Sequence, residues 1–406
     1  MKIKTSAKNP HLETAYRIEP ARLEKPSEEI SNAIAELTAA SATLGRALNE
    51  ATAANLADLV RMMNTYYSNL IEGHNTRPRD IECALEGKLN IDKERRNLQL
   101  EAVAHARVQG QIDRMMAENR LPEPASVDFI RWLHCEFYKD LPPEMLRIHG
   151  AGRDFIMVPG ELRSDPEQDV TVGRHIPPSS DQVLDFMAYF EYRYRLADLG
   201  MASGIMAMAA AHHRLNYIHP FLDGNGRVGR LMSHAMALKV GIGAHGLWSI
   251  SRGLARGLQS RGEYKQMMDL ADTPRQGDLD GRGNLSERAL SDFVLWFVRI
   301  CLDQVTFMSG LFEFDVLQTR LRAYVDHSET LRPESARLLE EALIRGKFDR
   351  GMAARITGLP ERSARRIVKD VIATGLLASE TKKGPLSLRF PVDTLDRLFP
   401  RLFPET

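Results

Sequence analysis

The sequence predicts a mainly α-helical protein with one β-hairpin and a small helix-turn-helix-and-wing unit near its C-terminus. Three observations lead there. Apolar residues recur at helical spacing through most of the chain, as in Leu56, Leu59, Val60, Met63, Tyr67, Leu70 and Ile71. Glycine and proline gather in residues 141–178, where Gly150, Gly152, Pro159, Gly160, Pro166 and Gly173 exclude a long helix. Residues 332–389 carry three short helical patterns followed by β-forming runs around a Lys382-Lys383-Gly384-Pro385 tip.

Taken in order, residues 1–28 are polar, are interrupted by Pro10, Pro20 and Pro26, and read as an extended arm. Ser27 is placed to cap a first helix, with Glu28 and Glu29 in its first turn, running to about residue 51. A second amphipathic helix spans 55–72 and stops at Gly73. A loop and short helix surround Pro78, and a charged helix follows over 92–119. Pro122 and Pro124 break the chain, and Ser126 caps a helix to 139 whose Phe129, Ile130, Leu133 and Phe137 read as core, with His134 and Cys135 as packing residues. The hairpin is expected at 160–176, from the β character of Val170-Thr171-Val172 with Leu162 opposite. Helices are expected over 180–197, 202–217, 227–240 and 253–270, then a long apolar one over 286–312. His212 and His213 are assigned to packing rather than to a metal. Tyr264 suits either core packing or the border of a nucleotide site.

At 406 residues two or three domains are expected, and we divide the chain at 1–120, 121–325 and 326–406. Basic and acidic residues balance at 54 each, so no whole-chain attraction to nucleic acid or membranes is expected and only local charge can argue for one. Cys83, Cys135 and Cys301 are scattered and odd in number, which suits free thiols in a reducing, cytoplasmic setting. No apolar run marks a signal peptide in the first 25 residues, and no run of about eighteen apolar residues is expected to span a bilayer.

The densest chemistry lies in His219-Pro-Phe-Leu-Asp-Gly-Asn-Gly-Arg-Val-Gly-Arg230. Gly224, Asn225 and Gly226 tolerate positive φ and can turn backbone N–H groups toward one anion. The helix expected from Arg227 would place that nest at a helix N-terminus, where orphan N–H groups and the dipole favour phosphate. Arg227 and Arg230 share a face of the first turn, where cations are unwelcome unless a polyanion lies in front. Asp223 among such groups makes sense as a ligand for a hard cation such as Mg²⁺. His219 is the side chain there able to accept a proton near neutral pH.

These twelve residues resemble the signature of Fic-domain proteins, HxFx(D/E)GNGRxxR, at every specified position. The resemblance implies a Fic-type helical bundle with a β-hairpin flap. It also implies transfer of AMP from ATP, with Mg²⁺, onto a Ser, Thr or Tyr hydroxyl of a target protein docked on that flap by strand addition. On it, His219 would be the general base and Asp223 would hold Mg²⁺. Gly224, Asn225, Gly226 and Arg227 would line the anion hole, and Arg230 would meet the γ-phosphate. The Doc-like kinase branch has Lys where this chain has Gly226, which favours nucleotidyl over phosphoryl transfer.

Ser68 and Glu72 stand four apart at the end of the second helix, where an acid opposes the dipole and should seek a cation. The stretch Ser68–Gly73 resembles the family's inhibitory motif, (S/T)xxxE(G/N), which implies that Glu72 pairs with Arg230 and obstructs the γ-phosphate. The C-terminal pattern, with helices at 332–346, 351–356 and 361–373 and a turn at Thr357-Gly358-Leu359-Pro360, resembles a winged helix. Arg362, Arg365, Arg366 and Lys369 on its third helix are candidate DNA contacts; a protein-contact or dimerisation role is the alternative. The expected partners are thus ATP, a target protein and, for the tail, DNA; no membrane is expected, and a homodimer is compatible with the chain. Two rivals to AMP transfer are removal of AMP or transfer of another phosphate-containing group at the same site, and a DNA-binding regulator that only senses nucleotide.

Overall fold

The protein is described by a computed structural model covering residues 14–150 and 153–403. The arm expected at 1–28 therefore lies partly outside the described residues. Local capping chemistry sets most helix starts. α1 (Glu28–Thr43) begins where Ser27 Oγ accepts from the Ile30 N–H at 3.2 Å. It ends before the expected 51, and Gly45 turns the chain with φ +75°. α2 (Glu50–Ile71) starts earlier than 55, behind an Asn49 cap, and stops at Gly73, where φ is +87°. α3 (Pro78–Leu85) carries its proline in the first turn. α4 (Lys93–Ala117) and α5 (Val127–Tyr138) are capped by Asp92 and Ser126.

The hairpin lies elsewhere than expected. β1 (Arg147–Gly150) pairs antiparallel with β2 (Arg153–Ile156), Ile148 opposite Phe155. The expected 160–176 stretch holds only a short 3₁₀ turn at Pro166–Gln168 and one bridge between Val172 and His175. Val170-Thr171-Val172 finds no partner strand there, because side chains pin the segment instead: Asp165 caps the 3₁₀ turn and Asp169 Oδ1 accepts from the Ser180 N–H at 2.7 Å. The missed cue in the sequence is the pair of glycines, Gly150 and Gly152, flanked by Ile148, Phe155 and Ile156.

α6 (Val183–Tyr194), α7 (Met201–Ile218) and α8 (Asn225–Lys239) follow, with α7 and α8 packed along each other. The helix expected over 253–270 is two, α9 (Ile250–Arg256) and α10 (Glu263–Ala271), split at Gly257 with φ +67°. α11 (Glu287–Phe312) is the central helix, against which α1, α7, α9 and α10 pack. It is long and apolar enough to cross a membrane by length and composition alone, but Asp292, Arg299 and Asp303 interrupt it, and Phe293, Phe297 and Ile300 are wholly buried in the core.

α12 (Phe314–Asp326), which the sequence reading missed, packs on α13 (Ser335–Arg345). Then come β3 (Lys347–Phe348), α14 (Ala353–Thr357), α15 (Glu361–Ala373), β4 (Leu377–Ala378), β5 (Leu386–Leu388) and α16 (Leu395–Leu398). The three strands form an antiparallel sheet in the order β3-β5-β4. This C-terminal part packs along α2. Thr52 Oγ1 donates to Leu343 O at 3.3 Å, Arg389 to Asn55 Oδ1 at 2.6 Å, and Tyr67 OH to Leu402 O at 3.0 Å. On another side α2 meets α4 and α9, so the helix that ends at Glu72 is held between the tail and the helical core.

Candidate active site

The site forms where α7 ends and α8 begins. His219 terminates α7 in the left-handed region, φ +52° and ψ +60°, with its N–H still donating to Leu215 O at 2.9 Å. The loop after it is closed by Asn225, whose Oδ1 accepts from the Phe221 N–H and whose Nδ2 donates to Phe221 O, both at 2.9 Å. That side chain is thus engaged within the loop, and Asn225 can serve an anion through its backbone N–H. Of the three residues expected to use positive φ, only Gly224 does, at +78°; a Cβ there would also strike the Tyr138 ring. Asn225 and Gly226 are already helical. Gly226 is small for another reason: a Cβ would lie 2.7 Å from Glu72 Oε1 and 3.1 Å from the Arg230 guanidinium. The first-turn N–H groups of α8 have no carbonyl within their own helix and point at the space in front of it.

Glu72 fills part of that space. Its Oε1 accepts from Arg230 at 2.6 Å, while Arg230 Nε donates to Ser68 Oγ at 3.0 Å and its NH2 to Ser68 O at 3.3 Å. Arg230 is 1% exposed and the Glu72 side chain 34%. Desolvation pushes the Glu72 carboxyl up, but Arg230 and then Arg227 outweigh it and hold the group below its ordinary value. Glu72 is therefore ionised at neutral pH, an anion seated before a helix N-terminus.

Arg227 is held separately. Its NH2 donates to Glu101 Oε2 on α4 at 2.7 Å, its NH1 lies 3.4 Å from Tyr138 OH, and its guanidinium sits 5.4 Å over the Phe137 ring. Its Nε is buried with no hydrogen-bond partner, a donor that a phosphate oxygen would satisfy. His74, two residues beyond Glu72, brings Nδ1 to 2.9 Å from Glu101 and 3.2 Å from Arg227. The Glu101 carboxylate raises the imidazole above its ordinary value against the opposing effect of burial.

His219 shifts the other way. Burial first, then the Arg163 guanidinium, pushes its imidazole down to about 3, so it is neutral and able to accept a proton at physiological pH. Asp223 is exposed, yet desolvation by the surrounding protein raises its carboxyl, with the Gly224 N–H and then Arg227 opposing only in part. Among the described residues no group of three His, Cys, Asp or Glu side chains could by itself hold a metal ion. One exposed carboxylate whose charge is only partly compensated, beside an anion nest, does fit a Mg²⁺ that takes its other ligands from phosphate and water.

A model of the Fic/DOC family matches residues 124–237, from just before α5 to the end of α8. Over 82 residues the chain is 35% identical to protein adenylyltransferase Fic of Drosophila mojavensis and 34% to that of Aedes aegypti. The match covers 20% of this chain but only 16% of those relatives. This is a Fic-domain protein. A Fic family protein from Desulfovibrio desulfuricans G20 has the same fold, with a TM-score of 0.51 at 16% identity over 90% of this chain and 98% of that one.

In this Fic domain the residues singled out from sequence fall into three places. His219, Asp223, Gly224, Asn225, Gly226, Arg227 and Arg230 share the cleft, and Ser68 and Glu72 reach it from α2. Arg362, Arg365, Arg366 and Lys369 lie exposed on α15, outside the Fic domain, with Arg365 paired to Glu361 at 2.9 Å. Tyr264 packs on Trp296 with stacked rings 6.2 Å apart and bonds His212 through its hydroxyl at 2.8 Å, and that hydroxyl also interacts with Arg230 and Glu72, so it is both a packing residue and a neighbour of the cleft. Sequence reading missed Glu101, His74, Tyr138 and Arg163. One cue was available: Glu101 lies beside Ala102-Val103-Ala104, on the packed face of a helix where an unpaired acid would be costly.

Proposed function

We propose that this Fic domain transfers AMP from ATP to a hydroxyl side chain of a target protein, and to its own chain, and that Glu72 restrains it. The observation that carries the reading is the meeting of a neutral His219 with the N-terminus of α8, where a carboxylate already occupies the space a phosphate would take. In the reaction the target oxygen forms a bond to the α-phosphorus, the bond to the bridging oxygen breaks, and pyrophosphate leaves. His219 takes the hydroxyl proton. Arg227, Arg230 and the first-turn N–H groups hold the phosphate charge in a geometry set before the substrate arrives. Asp223 would hold Mg²⁺, which when bound neutralises phosphate charge. Gly226 supports AMP over phosphoryl transfer, because the kinase branch carries a lysine there.

Full-length protein incubated with ATP labelled on the α-phosphate, and separately on the γ-phosphate, tests this. Label from the α position alone supports AMP transfer; γ-label on protein means phosphoryl transfer, and neither means nucleotide sensing. Loss of α-label as AMP from pre-modified protein in water without pyrophosphate would reveal hydrolytic removal of AMP.

The tail supports a second activity. We draw it from Phe314, since α12 packs on α13 and α16, and we read it as a winged helix that contacts DNA. Arg362, Arg366 and Lys369 are exposed on α15, Lys382 and Lys383 are exposed at the wing tip, and Arg350 Nε braces that tip by donating to Gly384 O at 3.3 Å. A reducing, cytoplasmic setting is supported by Cys83, Cys135 and Cys301, all free thiols.

A further inference from the structure

Arg163 is 2% exposed and lies in the irregular segment between β2 and α6. Its guanidinium gathers backbone carbonyl groups at closer range than the Asp169 carboxylate. Nε donates to His219 O at 2.7 Å, and NH2 donates to Ile218 O at 3.2 Å and to Pro178 O at 3.0 Å. NH1 donates to Ser180 Oγ at 2.7 Å, and the Arg163 backbone N–H donates to Pro220 O at 2.9 Å. Asp169 Oδ1 stands 3.9 Å from NH1.

The arrangement brackets one residue. The carbonyls of Ile218, His219 and Pro220 are consecutive, and all three accept from Arg163. They close α7, where leftover carbonyls and the dipole favour a cation, and a buried guanidinium needs that many acceptors to be tolerated. His219 meanwhile holds φ +52°, a conformation that L side chains seldom adopt unless the surroundings impose it. The remaining contacts, to Pro178 and Ser180, tie the same guanidinium to the segment that leads from the hairpin into α6.

We propose that Arg163 is a positioning residue for His219: it holds the left-handed turn that aims the imidazole, and it joins that turn rigidly to the segment beyond the hairpin. The inference rests on the reading of His219 as the base for AMP transfer. These contacts of Arg163 are to the backbone and side chains around His219, and the role assigned to it is to position that residue. Its contribution is geometric, and displacing a catalytic group by about 1 Å costs on the order of 10²-fold in rate. Burial is the first reason the imidazole is neutral; the Arg163 cation, then His175, add to it, while the Asn216 backbone and Glu72 oppose.

The test uses the full chain carrying Glu72→Gly, compared with the same chain bearing Arg163→Ala or Arg163→Lys. For Arg163→Ala we expect kcat for α-phosphate label to fall on the order of 10²-fold with the MgATP dissociation constant unchanged. Arg163→Lys should recover part of the loss, because it keeps the charge but cannot span the same carbonyls. In histidine-labelled protein, with the His219 resonance assigned by His219→Asn, the imidazole midpoint should move up when the cation is removed. Arg163→Ala transferring as fast as its parent, MgATP affinity falling in step with kcat, or an unmoved imidazole midpoint would overturn the proposal. If the Glu72→Gly parent transfers no label, the AMP-transfer reading has failed, and the imidazole titration still decides what Arg163 does. Should Arg163→Ala fail to fold in a thermal melt, Arg163→Gln carries the imidazole comparison and Arg163→Lys the kinetic one.

Discussion

Replacing Glu72 by glycine removes the anion that sits in the nest and leaves the rest of the cleft in place. Arg230 keeps its bonds to Ser68 Oγ and Ser68 O, so it stays oriented while its outer edge is freed. A hydrogen bond to a charged group contributes about 1.5–3 kcal/mol, and partial exposure of the carboxylate discounts that toward about 1–2 kcal/mol. A difference of that size corresponds to roughly a 5–30-fold change in the population of the open cleft. Glu72 also excludes a phosphate by volume, so that range is a lower bound on the expected rise in transfer. Stability should change little, because Glu72 sits at the C-cap of α2 rather than within it, and that helix is held along its length by the tail and α4. The assay is α-phosphate label incorporated into the full-length chain, with Glu72→Gly plus His219→Ala as the blank. Purified Glu72→Gly protein that labels itself no faster than the parent, at an unchanged melting temperature, would refute the inhibitory role.

Four further outcomes are expected. His219→Ala should lower transfer about 10²–10⁴-fold while calorimetry records near-parental MgATP binding, since the imidazole belongs to the proton and not to the phosphates. Asp223→Ala should weaken Mg²⁺-dependent ATP binding and turnover together; an unchanged Mg²⁺ titration would remove Asp223 from the metal site. His74 has a raised pKa, so its ionic contact with Glu101 is complete below about 6.5 and is lost as pH climbs through the raised value. Because that contact fastens the loop beyond Glu72, basal self-labelling should rise as pH increases through that raised value, and His74→Ala should flatten the profile. Duplex DNA binding by the full chain should weaken steeply with salt, and Arg362→Ala with Arg366→Ala should reduce the slope; no binding at low salt leaves protein contact as the role of the tail.

The sequence by itself determined the features whose causes lie within a few residues. Ser27 and Ser126 cap the helices they precede, because a side-chain oxygen two or three positions from an orphan N–H must find it. Gly73 ends α2 for an equally local reason. The phosphate-type nest was legible because its residues are contiguous from His219 to Arg230. Where two local signals competed, the reading slipped: Val170-Thr171-Val172 has β character, yet the paired strands are Arg147–Gly150 and Arg153–Ile156. Only the tertiary structure decided which charges meet. Glu101 reaches Arg227 across 126 positions, Glu72 reaches Arg230 across 158, and Arg163 reaches His219 across 56. A resemblance supplied the second of these pairings; nothing in the chain announced the other two. No local preference encodes such a pair, because each partner in isolation is an ordinary charged residue on its own element. Their pairing, and with it the ionisation of His219, His74 and Glu72, follows from how α2, α4, α7 and α8 pack, which removes water from all of them at once.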